Sequence, residues 1–299
     1  MRIFEAPSTP DSEGLRVATL GSCRVHIPLG MLAGRGELTL CEQGMPLTHT
    51  AAEALQILDL IMGAKRIPDA LAPFVFGAEE IPPADLVRAN LRRGLDAVLL
   101  EVSQARQFRY GDIFLQTNLF SRHFVRSHGS ALLPWFRLLC SGRAIDDAVI
   151  RSALDSLREG GRQPDEQLVD LLRGVRMEIP GCAEIGHAVE AMMARLGGRW
   201  TVIGALEAPG HDGPIMRHRH ALNETLEQAA RQCGAAFYNP TQLIVDHGRE
   251  TVLDGGGADI HEYAPDFYPM VAKTWLDLAR RERPPAKPPS RATWSALNS

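Results

Sequence analysis

Residues 17–25 read VATLGSCRV, and the interpretation of the whole chain starts from this stretch. An apolar segment ends at Gly21, and the residues after it are predicted to begin a helix. Glycine permits a sharp turn between a strand and a helix. The first N–H groups of a helix, together with its dipole, favour an anion at that end. The stretch therefore predicts that Cys23 lies at a helix start, at the carboxyl end of a buried strand.

Outward from this stretch, short apolar segments alternate with helical patterns. The predicted strands are 15–20, 37–41, 96–102, 200–206 and 235–238. Such alternation predicts an α/β fold, with an open parallel sheet wound by helices on both faces. Ligands bind such sheets at the carboxyl ends of the strands.

The chain is interpreted as a single α/β domain with flanking segments. Residues 104–198 combine aromatic loop material with helical patterns at 144–159, 165–175 and 184–196, and are interpreted as a helical insertion. The predicted boundaries are an amino-terminal arm at 1–14, the domain at 15–283 and a disordered, proline-rich tail at 284–299.

Composition excludes several classes of function. The formal net charge of −4 over 299 residues gives no reason to expect nucleic acid or an anionic membrane as a partner. Five scattered cysteines, odd in number and without a CxxC pair, favour reduced thiols and a cytoplasmic location. No stretch is suited to span a bilayer, and no set of side chains has metal-ligand spacing, so neither a membrane span nor a metal is expected.

Two neighbouring side chains compete as nucleophile. Cys23 is the first candidate, because Arg24 and the helix start are expected to lower its pKa toward neutrality. The alternative for Cys23 is a small buried apolar residue. Ser22 is the second candidate, although it can instead cap the helix.

His261 is the candidate base, since the glycine-rich run at 255–257 could bring its ring over the strand ends. Asp259 would then fix its tautomer. The alternative is a surface histidine ahead of a helix.

Other candidates lie near strand ends. Ser103 and Gln104 are candidate oxyanion donors, or else ordinary turn residues. His49 either lines the cleft or merely caps a helix. Arg217 and Arg219 would hold an anionic group of the substrate, or belong to a solvated helix face.

Gly21-Ser22-Cys23 and Asp259-Ile260-His261 together resemble motifs of the SGNH (GDSL-like) hydrolases. More narrowly, they are similar to the GSCFA-like branch and to capsule-biosynthesis proteins with Gly-Asn-Cys, which bind coenzyme A. The resemblance implies a flavodoxin-like three-layer α/β/α sandwich, with Cys23 at the nucleophile position and Ser22 at the position of the family's aspartate.

The resemblance also implies a third block near Ser103 and a second-block glycine at Gly44. The chain departs from the family in two places. Asp259 precedes His261 by two residues rather than three, and the third block has no asparagine. These departures leave open which residue orients the imidazole and which one holds the oxyanion.

Residues and resemblance together predict an acyl-ester hydrolase or acyltransferase acting on O-acyl groups of a carbohydrate. The alternative is a glycan- or coenzyme A-binding protein of polysaccharide biosynthesis with weak or no catalysis. No cofactor is required, and coenzyme A or acyl-coenzyme A fits as a donor. The expected partner is a small-molecule or carbohydrate substrate. The acyl group, its acceptor and the oligomeric state stay open.

Overall fold

The computed structural model describes residues 14–42, 44–76, 84–207 and 217–281. Its strands are β1 Leu15–Leu20, β2 Leu38–Leu40, β3 Ala97–Glu101, β4 Gln107–Tyr110, β5 Ile113–Leu115, β6 Val175–Glu178, β7 Arg199–Ile203, β8 Ala236–Tyr238 and β9 Asp259–Tyr263. Its helices are α1 Cys23–Gly34, α2 Ala51–Ile61, α3 Ala72–Val75, α4 Ala84–Arg92, α5 Thr117–Phe120, α6 Leu133–Cys140, α7 Asp147–Glu159, α8 Glu166–Gly174, α9 Cys182–Leu196, α10 Arg217–Cys233, α11 Thr241–His247, α12 Arg249–Val252, α13 Asp254–Gly257 and α14 Tyr268–Arg280.

The central sheet has five parallel strands in the order β2-β1-β3-β7-β8. This is the flavodoxin-like order, in which the winding direction reverses between β1 and β3. The five predicted strands and the three-layer α/β/α architecture are therefore confirmed. In sheets of this order the reversal forms a crevice at the carboxyl ends of the two strands beside it, here β1 and β3, and ligands bind in that crevice.

Alternating side chains of each central strand supply two apolar layers. Ala18 and Leu20 of β1 face the layer formed with α2, α9 and α10, whereas Val17 faces the layer formed with α1 and α14. The sheet is thus covered on both faces. Strands buried on both faces are largely apolar, as in the Ala97–Leu100 part of β3, and this is why the sequence identifies them.

The predicted insertion contains helices at each of the three expected places, namely α7, α8 and α9. It also contains a small antiparallel sheet, β5-β4-β6, that the sequence did not predict. These strands are only three or four residues long, and β6 joins β4 from a distant part of the chain. Such brief segments carry too little periodicity to be recognised.

The predicted arm, apart from Gly14, and the predicted tail lie outside the described residues. Their assignment, and that of the segment 15–283 as one domain, stays a prediction. Among the described residues, no helix has both the length and the apolar character needed to cross a bilayer.

The turn between β1 and α1 depends on the absence of a side chain at Gly21. A Cβ at this position would lie 2.7 Å from Cβ of Glu101 on the adjacent strand, closer than carbon atoms pack. The next residue, Ser22, is the N-cap of α1 and accepts a hydrogen bond from the backbone N–H of Arg24. Gly21 therefore allows the close approach of the two strand ends on which the site is built.

We expect Gly21→Ala to lower the free energy of unfolding by about 1–3 kcal/mol, because the methyl group overpacks against Glu101. Gly30→Ala is the matched control, since its added Cβ would meet no atom within 4 Å and it lies inside α1. There alanine should stabilise the helix by about 0.5–1 kcal/mol. Urea unfolding measures both, and equal effects of the two variants would contradict this explanation of the turn.

Candidate functional site

A buried carboxylate, Glu101, joins the end of β3 to the start of α1. Its Oε2 accepts hydrogen bonds from the Ser22 backbone N–H at 2.8 Å and from the Ser22 hydroxyl at 2.5 Å. Its Oε1 pairs with Nη2 of Arg24 at 2.5 Å, and both side chains are almost inaccessible. Burial by itself would raise the pKa of Glu101. The Arg24 charge and the Ser22 hydrogen bonds outweigh burial and hold that pKa below its ordinary value.

The two candidate nucleophiles, Ser22 and Cys23, differ in whether the side chain is exposed and free to react. Ser22 is buried, donates its hydroxyl proton to Glu101 and accepts from the Arg24 N–H, so its side chain is fully occupied in shaping the helix start. Cys23 is partly exposed and is a free thiol. The backbone N–H of Cys23 has no acceptor among the described residues. This geometry favours Cys23 over Ser22.

The thiol of Cys23 is held in its protonated form. Its Sγ donates a hydrogen bond to Oε1 of Glu262, 3.1 Å away. Burial, the Glu262 carboxylate and Glu101 raise the pKa of Cys23 to about 12, and Arg24 opposes them only weakly. The lowered pKa that the sequence suggested is therefore wrong. Arg24 does lower the pKa of Cys23, as expected, but its effect is small because its charge is already compensated by Glu101.

His261 lies next to Glu262 in β9, so the Cys23–Glu262 contact, which spans 239 positions, brings the strand that carries His261 to the start of α1. No hydrogen bond joins the thiol to the ring in the described part of the chain. The glycine-rich run predicted to lead into a helix forms the short, distorted helix α13 and is followed by the extended strand β9, and the long helix α14 begins only at Tyr268.

The His261 ring contacts Arg219 rather than Asp259. Nδ1 of His261 lies 3.4 Å from Nη2 of Arg219, and a guanidinium can only donate. Nδ1 is therefore the acceptor, and the proton of the neutral ring is on Nε2. Asp259 instead accepts the backbone N–H of His261 at 2.7 Å, which fixes the strand and not the tautomer. Burial and the Arg219 charge lower the pKa of His261.

A second imidazole, His49, anchors a polar chain across the cleft. Its Nδ1 lies 3.0 Å from the Ser103 hydroxyl, and its Nε2 lies 3.2 Å from the Asn118 amide nitrogen. Burial lowers the pKa of His49 to about 4, so the ring is neutral at physiological pH. With Asn118 donating to Nε2, Nδ1–H donates to Ser103, and the Ser103 hydroxyl proton is left for a ligand. His49 and Ser103 are thus brought together beyond the end of β3, and their role in a cleft stays a prediction.

Asn118 is a residue that sequence reasoning missed. The third block lacks an asparagine, yet α5 of the insertion, which follows the β4–β5 hairpin, places one on the other ring nitrogen of the histidine that contacts Ser103. Only the unpredicted hairpin places it there, so no local signal could have found it. The same holds for Glu262, whose role depends on the thiol 239 positions away.

The remaining candidates are placed as follows. Gly44 is an exposed turn residue with a φ of 87°, and no side-chain contact joins it to the cleft. Gln104 donates its backbone N–H to the carbonyl of His49, while its side chain makes no hydrogen bond to a described residue. Arg217 is the first residue of α10, and its side chain lies outside the description. Within the described ranges, no cluster of three or more His, Cys, Asp or Glu side chains could hold a metal ion.

The sheet and this cleft define an α/β protein whose polar site lies at the switch point of a flavodoxin-like sheet. Residues 15–278 match the family described as TviD N-terminal domain, and the chain belongs to that family. It is 25% identical over 266 residues to the Vi polysaccharide biosynthesis protein TviD of Salmonella typhi. That alignment covers 86% of this chain and 30% of the relative, so the chain spans less than a third of the relative's length. No solved structure matches the chain significantly.

We expect Glu101→Gln to destabilise the fold by about 3–5 kcal/mol, because it leaves Arg24 as an uncompensated buried charge. Glu178→Gln is the control. It breaks a pair with Arg109 in which both side chains are more than a third exposed, and should cost at most about 1 kcal/mol. Equal urea midpoints for the two variants would contradict a structural role of the buried pair.

The same variant has a defined pH signature. Because the pKa of Glu101 in the folded chain is below its ordinary value of 4.5, its contribution to stability is present above that value. The contribution is lost as the pH falls through the folded pKa. The stability difference between wild type and Glu101→Gln should therefore be constant near neutrality and shrink below pH 4.5.

Glu262→Gln should lower the pKa of Cys23 from about 12, because it removes the carboxylate that accepts the thiol proton. Only the thiolate is alkylated, so iodoacetamide should modify the Cys23 peptide faster at a fixed pH. Asp266→Asn, which changes an exposed carboxylate just after β9, should leave the rate unchanged. Mass spectrometry follows the peptide, and equal rates in both variants would refute the assigned contact.

Proposed function

We propose that this chain transfers or hydrolyses an O-acyl group of a carbohydrate in polysaccharide biosynthesis, with SGNH-like chemistry. The family relationship supports the polysaccharide context, since the Salmonella typhi relative is named as a Vi polysaccharide biosynthesis protein. The observation that carries the proposal is the meeting of Cys23 with the segment of His261 at the switch point of the sheet.

The reaction would begin with attack of the Cys23 sulfur on the acyl carbonyl. A carbon–sulfur bond forms, and the carbonyl oxygen becomes an oxyanion. The free N–H of Cys23, at the amino-terminal end of α1, and the Ser103 hydroxyl are the donors available to hold that charge, with Asn118 directing the hydroxyl through His49. Asn118 and Ser103 would together replace the asparagine missing from the third block.

Collapse of the oxyanion would break the bond from the acyl carbon to its leaving oxygen, or to sulfur if acyl-coenzyme A is the donor. His261 would return a proton to the leaving group. A sugar hydroxyl or water would then attack the thioester, give its proton to His261 and release Cys23. Hydrolase and transferase differ only in this second acceptor.

Proton removal from Cys23 is the demanding step, since a thiol with a pKa of about 12 is almost wholly protonated at neutral pH. A base must take the proton as the bond to carbon forms. His261 is the proposed base, and Glu262 is proposed to hold the thiol in the resting state. His261 needs an unprotonated Nε2 for this, and the contact with Arg219 places the proton there at rest.

A second candidate function rests on the same contacts. A thiol bound to a carboxylate and an imidazole bound to an arginine also suit a cleft that binds a glycan or coenzyme A without turnover. In that case the raised pKa of Cys23 would be the working state of the protein and no acyl-enzyme would form. Cytoplasmic location stays a prediction under both functions.

Cys23→Ala should reduce turnover of 4-nitrophenyl acetate or acetyl-coenzyme A by roughly 1,000-fold or more, as expected when a nucleophile is removed. Cys182→Ala is the matched control, because this cysteine is also a partly exposed free thiol at the start of a helix. It should retain full activity, and thermal melting should show that both variants fold.

Equal activity of the two variants would remove Cys23 from the mechanism. If the wild-type chain shows no turnover but coenzyme A or an oligosaccharide raises its melting temperature, the binding function replaces the enzymatic one, because a ligand that binds only the native state stabilises it.

A further inference from the structure

Arg219 carries a buried positive charge that no described carboxylate compensates. The residue is only 8% exposed. Its Nη1 donates to the carbonyl of Leu206 at 2.9 Å, and its Nη2 donates to Nδ1 of His261 at 3.4 Å. Both partners are neutral. Burial and the nearby Arg24 charge lower the pKa of Arg219 to about 10, and no carboxylate of the described residues raises it again.

The contrast with Arg24 is informative, because the two arginines lie at the same end of the sheet. Arg24 is paired directly with Glu101 and is part of the fold. Arg219 comes from α10, beyond the end of β7, and reaches across to β9. A buried charge without a counter-ion is costly, and buried charges in proteins are ordinarily paired, so the guanidinium of Arg219 is suited to a ligand of opposite charge.

We propose that Arg219 is an anion subsite of the cleft, where a carboxylate or phosphate of the substrate binds the guanidinium and takes Nη2 from His261. This inference rests on the proposed acyl transfer at Cys23, because it gives the anion a role in that reaction. Its test measures binding alone and does not need the reaction. Arginine presents several donors in a planar fork that matches carboxylates and phosphates, so the anion can bind it through two hydrogen bonds.

Displacement of the Arg219 Nη2 from His261 would allow the imidazole to act as a base. Once the guanidinium no longer donates to Nδ1, that nitrogen can hold the ring proton and donate it to the bound anion. Nε2 is then free to accept the proton of Cys23. The substrate's anion would thus orient the imidazole, a role for which Asp259 is not placed, because its carboxylate binds the backbone N–H of His261. Substrates that lack the charge would leave the site at rest.

Two sources of the anion are distinguished by matched probes. Galacturonate against galactose tests a carboxylate on the sugar, and coenzyme A against pantetheine tests a phosphate on the acyl donor. Binding is measured by calorimetry in Cys23→Ala, where no turnover can occur. The result is therefore independent of whether the proposed acyl transfer holds.

The probe from the true source should bind more tightly than its neutral partner. Arg219→Gln should weaken that probe roughly tenfold to hundredfold, the usual worth of a hydrogen bond to a charged group, and leave the neutral partner unchanged. Arg231→Gln is the control, since Arg231 lies on the same helix in an exposed pair with Glu227. An anionic preference that is absent in the parent, or that survives Arg219→Gln, overturns the proposal.

A measurement on the unmutated arginine covers the case in which Arg219→Gln does not fold. In protein labelled with ¹⁵N-histidine, the anionic probe should convert Nδ1 of His261 from an acceptor into an N–H, and the neutral partner should not. His261→Gln assigns the signal. An unchanged Nδ1 in the saturated complex overturns the proposal.

Discussion

The site depends on one buried interaction, the binding of the Glu101 carboxylate to Ser22 and Arg24. Two ions are costly to remove from water, and the cost is offset only when their remaining donors and acceptors are satisfied. Here the serine supplies two further hydrogen bonds to the carboxylate. Because Gly21 carries no side chain, the end of β1 can lie against β3 and the pair can form. The start of α1, and with it Cys23, is fixed by this contact.

The same interaction determines the electrostatics of the cleft. The negative charge of Glu101 compensates the positive charge of Arg24. Arg24 therefore does not lower the pKa of the Cys23 thiol toward neutrality in the way that its sequence position suggests. Glu262 then keeps the thiol protonated, and Arg219 remains as the buried cation without a described counter-ion. The protein therefore holds its nucleophile and base candidates at rest.

Much of the fold could be predicted because the strands and helices carry strong local patterns. The largely apolar β3 and the Thr50-capped helix α2 are examples. The place of the Gly-Ser-Cys turn between β1 and α1 could likewise be predicted from its sequence. The contacts of the site could not be predicted, because each joins residues far apart in sequence. Glu262 rather than His261 meets the thiol, and Asn118 arrives through a hairpin too short to leave a pattern.

The most direct measurement is to trap the acyl-enzyme during turnover. The wild-type chain is mixed with 4-nitrophenyl acetate or acetyl-coenzyme A, quenched in acid and digested, and the peptides are analysed by mass spectrometry. The account predicts one acetyl group on Cys23, released by neutral hydroxylamine as a thioester is, and none on Cys182. An acetyl group on Ser22, or active turnover with an unmodified Cys23, would contradict it.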